Sequence, residues 1–546
     1  MSTGRLASLV RVAGFAGVGL AAAVGGGLLY VPSGVAEGAG PQAPVAYLLA
    51  GGGVACLAVA FAVVASGPFG ERGPVYGAVS RVWGSRLLGT LVAWPALAGY
   101  VALVALVAEW LGRLAPLPLG AGAYVNGTLD APTGLAALLG VGTTSSLVAD
   151  VVAVAVCALA VGVHLLGARR VALAVAVPAW GVVVGVGGLL LVAFVPGVGE
   201  FVAGNFDPLY PTFGLQREPV RSLVGGVGLA LFAFVGVEAT AYAVAAAGVD
   251  DGNDDAEGGT ATDRTDTVWR APVVAAVVAG GLVTLTAFVA LGIIDWIRLN
   301  LADIPAADAI GAYLPVDPFV LTVVVSTVAG AAAVVALGVP ATRTLAGFAE
   351  LLPPLGRGPG DPPLASLVGV YGVAAALAVA DLVAPALYVA VPGLALSYLA
   401  VAVTVVAMPT RRPDLWAACT ARPSGRAGRL ALGGAVAVAA TLLGAALASD
   451  PATTLGLTLH RVSLAVFEFE LVSDPLGGHV PALVVWELVG LGLFVVLRDY
   501  RASTGVDLSP LDPPAGSTVA DEGSDDDGAG EADPPAGDDP ERAVEP

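Results

Sequence analysis

Two positions inside apolar stretches carry residue types that could bind a ligand. The first is a run of three glycines, Gly25, Gly26 and Gly27, with Pro32 five residues further on. Glycine costs a helix about 1 kcal/mol relative to alanine, so this run favours unwinding, which frees amide N–H groups for an anion. Close packing of neighbouring helices is the alternative, because glycine is common where membrane helices touch. Both interpretations stay open at this run.

The second position is Glu238, which follows Gly236 near the middle of another apolar run. A carboxylate inside a membrane is costly and usually faces a cavity or a partner, where it can bind a cation or an amine. The alternative is a structural carboxylate bonded to the backbone or to a nearby hydroxyl, with Thr240 and Tyr242 as candidates.

The other reactive side chains are scattered along the chain. Cys56, Cys157 and Cys419 include no CxxC pair and no ligand cluster, so the sequence predicts neither a metal site, nor a disulfide framework, nor a cofactor. No group of His, Asp and Cys lies at one membrane depth, which argues against an integral-membrane enzyme. His164 is expected at the membrane interface, without a role.

The elements that hold these residues are membrane helices. Of the 546 residues, 57% are hydrophobic and only 12% are charged, and the mean hydropathy is +0.86. A soluble domain carries roughly a quarter charged residues, so the composition indicates an all-α polytopic membrane protein. Twelve stretches have about the 20 apolar residues that a bilayer requires. They cover 9–36, 43–65, 87–113, 145–167, 171–195, 222–248, 271–294, 318–343, 364–383, 385–408, 429–449 and 479–497.

The charges lie mainly outside these spans. The formal net charge is −19, and the loop 249–269 and the tail 502–546 account for nearly all of it. The body is therefore close to neutral, which excludes a basic nucleic-acid surface. Every basic residue is arginine, a pattern that either a high-salt cytoplasm, as in halophiles, or codon bias would explain. The tail is acidic and poor in large apolar residues, so its composition predicts disorder.

Arginine placement sets the predicted orientation. With the N-terminus inside, 19 arginines fall on the cytoplasmic side and 5 on the other. This distribution satisfies the positive-inside rule, so we expect a multi-pass protein of the plasma membrane with both termini in the cytoplasm. A signal peptide is the alternative for the first span, but its apolar run continues through Val31, longer than such a segment.

The two spans with interruption signals are the first and the sixth. Breaks at these positions are typical of an inverted repeat of five plus five helices, which predicts repeat one at about 9–195 and repeat two at about 222–408. Helices eleven and twelve, at about 429–497, would complete a domain of residues 1–501 before the tail 502–546. In such folds, helix ends at the breaks bind an anionic group through N–H groups and a cation through carbonyls. A zwitterionic amino acid would suit this site.

Four segments resemble the amino acid–polyamine–organocation superfamily of permeases, across both repeats. The run Val24 to Pro32 is similar to the Gly-x-Gly break and proline of that family's first helix. The segment Phe232 to Ala239 is similar to its sixth-helix motif Phe-Ala-Phe-x-Gly-Phe-Glu, with Val237 in place of an aromatic residue. The segment 72–81 resembles the turn after helix two, and 341–353 resembles the end of helix eight.

The resemblance implies a set of substrate-binding residues around the two breaks. It implies that the glycine amides bind a substrate carboxylate, that carbonyls near the second break receive its amine, and that an aromatic ring gates the pocket. The residues concerned are Gly25, Gly26, Gly27, Phe232, Phe234, Val235, Gly236 and Glu238.

The coupling ion stays open between sodium, a proton and exchange without an ion. Sodium-coupled relatives use hydroxyls of the eighth helix, where Ser326 and Thr327 stand as a possible ion site. Proton-driven relatives can use a lysine in the fifth helix, and this chain contains no lysine.

We therefore expect a secondary active transporter that moves amino acids or related amines by alternating access. Its other expected partners are the coupling ion and membrane lipids. One alternative is a carrier of inorganic ions or organic cations on the same scaffold. Another is a membrane sensor or scaffold without transport, which the missing lysine and the missing helix-two acid favour, since Phe61-Ala62-Val63 replaces Tyr-Ala-Glu.

Overall fold

The computed structural model describes most of the chain. The described residues are 3–25, 35–36, 38–69, 73–115, 124–125, 128–129, 146–199, 201–210, 219–250, 261–301, 305–358, 360–448 and 479–505. Gly26, Gly27 and all but the first residues of the tail therefore lie outside the described residues. The described helices belong to one unit, Met1–Leu511.

The described residues form seventeen α-helices, numbered here in chain order. The first six are α1 (Thr3–Val24), α2 (Ala43–Ala65), α3 (Pro74–Trp83), α4 (Arg86–Leu114), α5 (Ser146–His164) and α6 (Ala168–Val192). Then follow α7 (Pro219–Phe232), α8 (Ala239–Asp250), α9 (Ala261–Ile293), α10 (Trp296–Leu301), α11 (Pro305–Tyr313), α12 (Pro318–Gly347), α13 (Leu364–Val379) and α14 (Val383–Arg411). The last are α15 (Pro413–Ala418), α16 (Gly425–Ala448) and α17 (His479–Ser503). Two short strands, β1 (Tyr124–Val125) and β2 (Thr128–Leu129), pair antiparallel.

A helix lies at each of the twelve predicted spans, and the predicted all-α polytopic membrane fold is confirmed. Nine helices in the described part are long and apolar enough to cross a membrane. The sixth and ninth spans contain shorter apolar helices, Ser222–Phe232 and Leu364–Val379, and the twelfth is the 25-residue α17.

Local sequence signals explain where several of these helices begin. The Ser85 hydroxyl precedes α4 and accepts a hydrogen bond from the Leu88 N–H at 3.2 Å. The Asp317 carboxylate does the same for α12, accepting from the Phe319 N–H at 2.8 Å. Side-chain oxygens at these positions satisfy N–H groups that the first helical turn leaves free.

Helix packing agrees in part with the predicted inverted repeat. Exchanging each of spans one to five with the span five places later turns the contact of α4 with α14 into that of α6 with α12, and both contacts are present. In the same way, the contact of α4 with α5 is matched by that of α12 with α13. Because five is odd, spans exchanged in this way would cross the membrane in opposite directions. The repeat itself stays a prediction, with α16 and α17 outside it.

Small residues allow the central helices to approach closely. A Cβ on Gly51 would lie 2.9 Å from the Cα of Gly280, where α2 crosses α9. A Cβ on Gly17 would lie 2.5 Å from the Cα of Ala176, where α1 crosses α6. At these positions glycine serves helix packing, as expected in membrane bundles.

Candidate functional site

The sixth span is interrupted at the predicted position. Helix α7 ends at Phe232 and α8 begins at Ala239, and hydrogen-bonded turns connect them. The Phe234 N–H donates to the Leu231 carbonyl at 3.2 Å, and the Val237 N–H donates to the Phe234 carbonyl at 3.2 Å. The break is therefore a short series of tight turns, in which the Phe234 carbonyl is already bonded. Within the described part of the chain, no donor bonds the Val235 carbonyl.

Glycine at position 236 is required by both conformation and space. Its φ is +108°, a backbone conformation that side chains disfavour, and an added Cβ would lie 2.9 Å from the Cβ of Ala22. This contact brings the break in the sixth span against the end of the first.

The first span also ends as a helix in the middle of its apolar run. Helix α1 stops at Val24, and Gly25 has a φ of +29°. A Cβ on Gly25 would lie 3.5 Å from the Cβ of Ala333 in α12. The expected anion-binding amides of Gly26 and Gly27 lie outside the described residues, so their role stays a prediction.

Glu238 lies at the junction of these elements and is 4% exposed. Its Oε2 accepts a hydrogen bond from the Gly236 N–H at 3.0 Å. The carboxylate directly precedes α8, where it lies near the positive end of the helix dipole. Its Oε1 has no hydrogen-bond partner in the described part of the chain. One oxygen therefore stabilises the break, and the other is available to a ligand.

Two tyrosines from distant spans reach the same carboxylate. The hydroxyls of Tyr100 in α4 and Tyr398 in α14 lie close enough to interact electrostatically with Glu238. The Tyr398 hydroxyl also accepts from the Gly236 N–H at 3.4 Å. For a structural carboxylate, the sequence predicted a partner in the backbone or a hydroxyl of Thr240 or Tyr242. The observed hydrogen bond comes from the backbone N–H of Gly236.

Three buried hydroxyls near this carboxylate have no hydrogen-bond partner in the described residues. They belong to Tyr100, Tyr242 and Thr344. The rings of Tyr100 and Tyr242 meet edge to face, with centroids 6.2 Å apart. An unsatisfied buried polar group costs about 1–3 kcal/mol, so such groups usually bond water or a ligand. Together with Glu238 these hydroxyls form a polar region between α4, α8 and α12.

A small cavity adjoins the break on the side of the second, tenth and eleventh spans. Phe234, Val235, Glu238 and Tyr398 line it, with apolar residues of α2 and α16. It has room for about one water molecule. Three residues predicted to bind substrate thus share one cavity.

The two candidate gating aromatics are in different environments. Phe232 is half-buried. Phe234 is 2% exposed, and its ring contacts the crossing of α2 and α9 at Gly51 and Gly280. A gating motion of Phe234 would therefore have to open this crossing.

The two residues of the possible ion site on α12 lie in different environments. Ser326 is buried, and its hydroxyl has no hydrogen-bond partner in the described residues, whereas Thr327 is exposed. Adjacent helical residues point about 100° apart, so only Ser326 faces the interior. Within the described residues, no group of three or more His, Cys, Asp and Glu could hold a metal ion.

His164, expected at the membrane interface, is buried among three spans. Its Nε2 lies 2.9 Å from the Tyr371 hydroxyl and 3.2 Å from the Val335 carbonyl. The Tyr371 hydroxyl donates to the Val334 carbonyl at 3.1 Å. These contacts connect α5 and α13 to the middle of α12. Hydropathy alone could not predict these contacts, because Val335 and Tyr371 are each more than 150 positions from His164 along the chain.

Comparison with known proteins finds similarity among solved structures. The chain matches no protein-family model and no curated protein. Among solved structures, it is similar to the crystal structure of the Eremococcus coleocola manganese transporter, at 13% identity and a TM-score of 0.49. The similarity covers 93% of this chain and 96% of that one. At this level the similarity assigns no function.

Proposed function

We propose that this protein is a secondary active transporter that moves amino acids or related amines across the plasma membrane by alternating access. The observation that carries the proposal is the contact between Gly236 and Ala22, which places the break of the sixth span against the end of the first. Interrupted membrane helices whose ends meet in this way are typical of transporter sites at the bilayer midplane.

The chemistry around this contact favours a ligand that carries an amine. Glu238 supplies a buried carboxyl group whose Oε1 has no hydrogen-bond partner in the described residues, and the Val235 carbonyl supplies a second acceptor. A protonated amine donates up to three hydrogen bonds, so it can bond both groups and a tyrosine hydroxyl at once. The carboxylate of an amino acid would bind the backbone amides of Gly25, Gly26 and Gly27, as the sequence predicts.

The arrangement of the repeats supports alternating access. Two inverted halves of similar structure can exchange conformations, so that a central site opens first to one side and then to the other. Sodium and protons are the candidate coupling ions, and the buried Ser326 hydroxyl is the remaining candidate ligand on α12. In the proposed orientation both termini lie in the cytoplasm.

A carrier of inorganic or organic cations is the second candidate function. The small volume of the cavity beside Glu238 favours it, because a desolvated ion fits where a larger amine requires the site to open. The hydroxyls of Tyr100 and Tyr242 would then replace part of the hydration shell.

Uptake by reconstituted protein tests both candidates. We would incorporate the purified full chain into liposomes and measure accumulation of amino acids, amines and monovalent cations, with and without a sodium or proton gradient. We expect one amino acid or amine to accumulate under one gradient. Accumulation of a monovalent cation alone would favour the second candidate. Absence of any flux by protein shown to be folded would contradict both and favour a sensor or scaffold.

A further inference from the structure

Some arginines at the end of the bundle where α4 begins and α14 ends have a carboxylate partner. Arg86 Nη2 lies 2.6 Å from Glu350 Oε1. Arg412 Nη2 lies 2.7 Å from Asp414 Oδ2. Such pairs connect neighbouring elements and neutralise charge at the membrane surface.

Three arginines at the same end lie close together in the chain and have no such partner. Arg422, Arg426 and Arg429 are all exposed. In the part of the chain that the structure describes, no acidic side chain forms a salt bridge with any of them. They lie within eight residues of one another at the start of α16, so their like charges repel one another. We call these residues the α16 arginine surface.

The position of this surface at the N-terminus of α16 makes its positive charge still less favourable. Arg426 and Arg429 lie in the first two turns of α16, and its first turn contains no acidic residue. The N-terminus of a helix carries a partial positive charge, so cations there are disfavoured and anions are stabilised. An anion bound at this surface would offset both the mutual repulsion and the interaction with the dipole.

The location of the surface beside a lipid-facing part of α16 indicates which anion binds there. Leu430, next to Arg429, is 75% exposed, and an added Cβ at Gly433 would meet no atom within 4 Å. The apolar face that begins at Leu430 therefore faces the lipid. The arginines at its end lie at the level of the lipid headgroups, where basic residues attract anionic lipids.

We propose that the α16 arginine surface binds the phosphate groups of anionic membrane lipids. An arginine guanidinium can donate two parallel hydrogen bonds to a phosphate. Arg422, Arg426 and Arg429 could therefore hold one or two headgroups beside the eleventh span. This inference does not depend on the transported substrate.

Lipid-dependent stability tests the proposal. We would measure the thermal unfolding midpoint of the full chain in a non-ionic detergent, titrated with phosphatidylglycerol, phosphatidylcholine or sodium phosphate. We expect phosphatidylglycerol to raise the midpoint and phosphatidylcholine to leave it nearly unchanged. In a variant with Arg422→Gln, Arg426→Gln and Arg429→Gln, the concentration of phosphatidylglycerol giving half of the shift should rise at least tenfold.

The control removes exposed arginines from other surfaces. A variant with Arg298→Gln and Arg498→Gln loses two exposed guanidinium groups outside the α16 arginine surface, and it should respond to phosphatidylglycerol as the wild type does. Counting bound lipids by native mass spectrometry gives a second readout if a variant is less stable from the start. An unchanged response of the triple variant would overturn the proposal. An equal shift with sodium phosphate would show instead a site for free phosphate.

Discussion

At the scale of single residues, Glu238 combines two roles that the sequence presented as alternatives. Its Oε2 accepts from the Gly236 N–H at 3.0 Å, which is a structural role. Its Oε1 has no partner in the described residues and lies among unbonded hydroxyls, which suits a binding role. A buried carboxylate that is only partly satisfied is costly for stability. Such a cost is typical of a functional site.

Replacing Glu238 with glutamine separates the two roles. Glutamine keeps an oxygen that can accept from the Gly236 N–H but loses the negative charge. We therefore expect Glu238→Gln to fold and to bind an amine-containing substrate at least tenfold more weakly, measured as the concentration giving half-maximal uptake. Glu487→Gln is the matched control, because it removes a second intramembrane carboxylate without a partner in the described residues. Normal affinity with reduced stability in Glu238→Gln would instead support a purely structural carboxylate.

The contact between Tyr371 and His164 should matter for stability and not for binding. Tyr371→Phe removes the hydroxyl that bonds the Val334 carbonyl and lies 2.9 Å from His164. We expect a loss of about 1–3 kcal/mol in the free energy of unfolding, measured by denaturation in detergent, with unchanged substrate affinity. Tyr500→Phe, at a residue 59% exposed, is the control. A large loss of affinity at unchanged stability would contradict this assignment.

At the scale of elements, the break between α7 and α8 depends on the backbone of one residue. Gly236 adopts a φ of +108° and leaves space for Ala22 of α1. The same segment supplies the N–H that bonds both Glu238 and Tyr398. Position 236 therefore sets the helix break, the approach of the first span and the orientation of the carboxylate.

Gly236→Ala tests the importance of this conformation. A Cβ would strain the backbone and contact Ala22, so we expect a loss of about 1–3 kcal/mol of stability and a strong reduction of uptake. The control is Gly281→Ala in α9, where a Cβ meets nothing within 4 Å and alanine favours a helix by about 1 kcal/mol. Stability and uptake equal to the wild type in Gly236→Ala would show that the break tolerates a side chain.

The sequence predicts the elements better than it predicts their contacts. Hydropathy locates the twelve spans because each span must match the membrane thickness. The glycine and the carboxylate within one apolar run locate the second break. The partners Tyr100 and Tyr398 are not predictable in this way, because their separation from Glu238 along the chain carries no periodic signal. The different environments of Ser326 and Thr327 have a simpler reason, since neighbouring helical residues face different directions.

At the scale of the whole molecule, the predicted inverted repeat connects fold and proposed function. In such a repeat, spans one and six occupy equivalent places in the two halves. The end of α1 meets the break of the sixth span where Ala22 contacts Gly236. A site made by both halves changes its accessibility when the halves move relative to each other. The central claim is therefore that this junction faces each side of the membrane in turn and holds the substrate.

Thiol labelling at this junction tests the claim most directly. In a variant with Cys56, Cys157 and Cys419 replaced by alanine, Ala22→Cys places one thiol beside Gly236. A membrane-impermeant thiol reagent is then applied from either side of oriented vesicles, with Ala502→Cys as the control for one side. We predict that Cys at position 22 reacts from both sides and that transported substrate slows the reaction. Reaction from neither side, or a rate that no transported compound changes, would contradict the account.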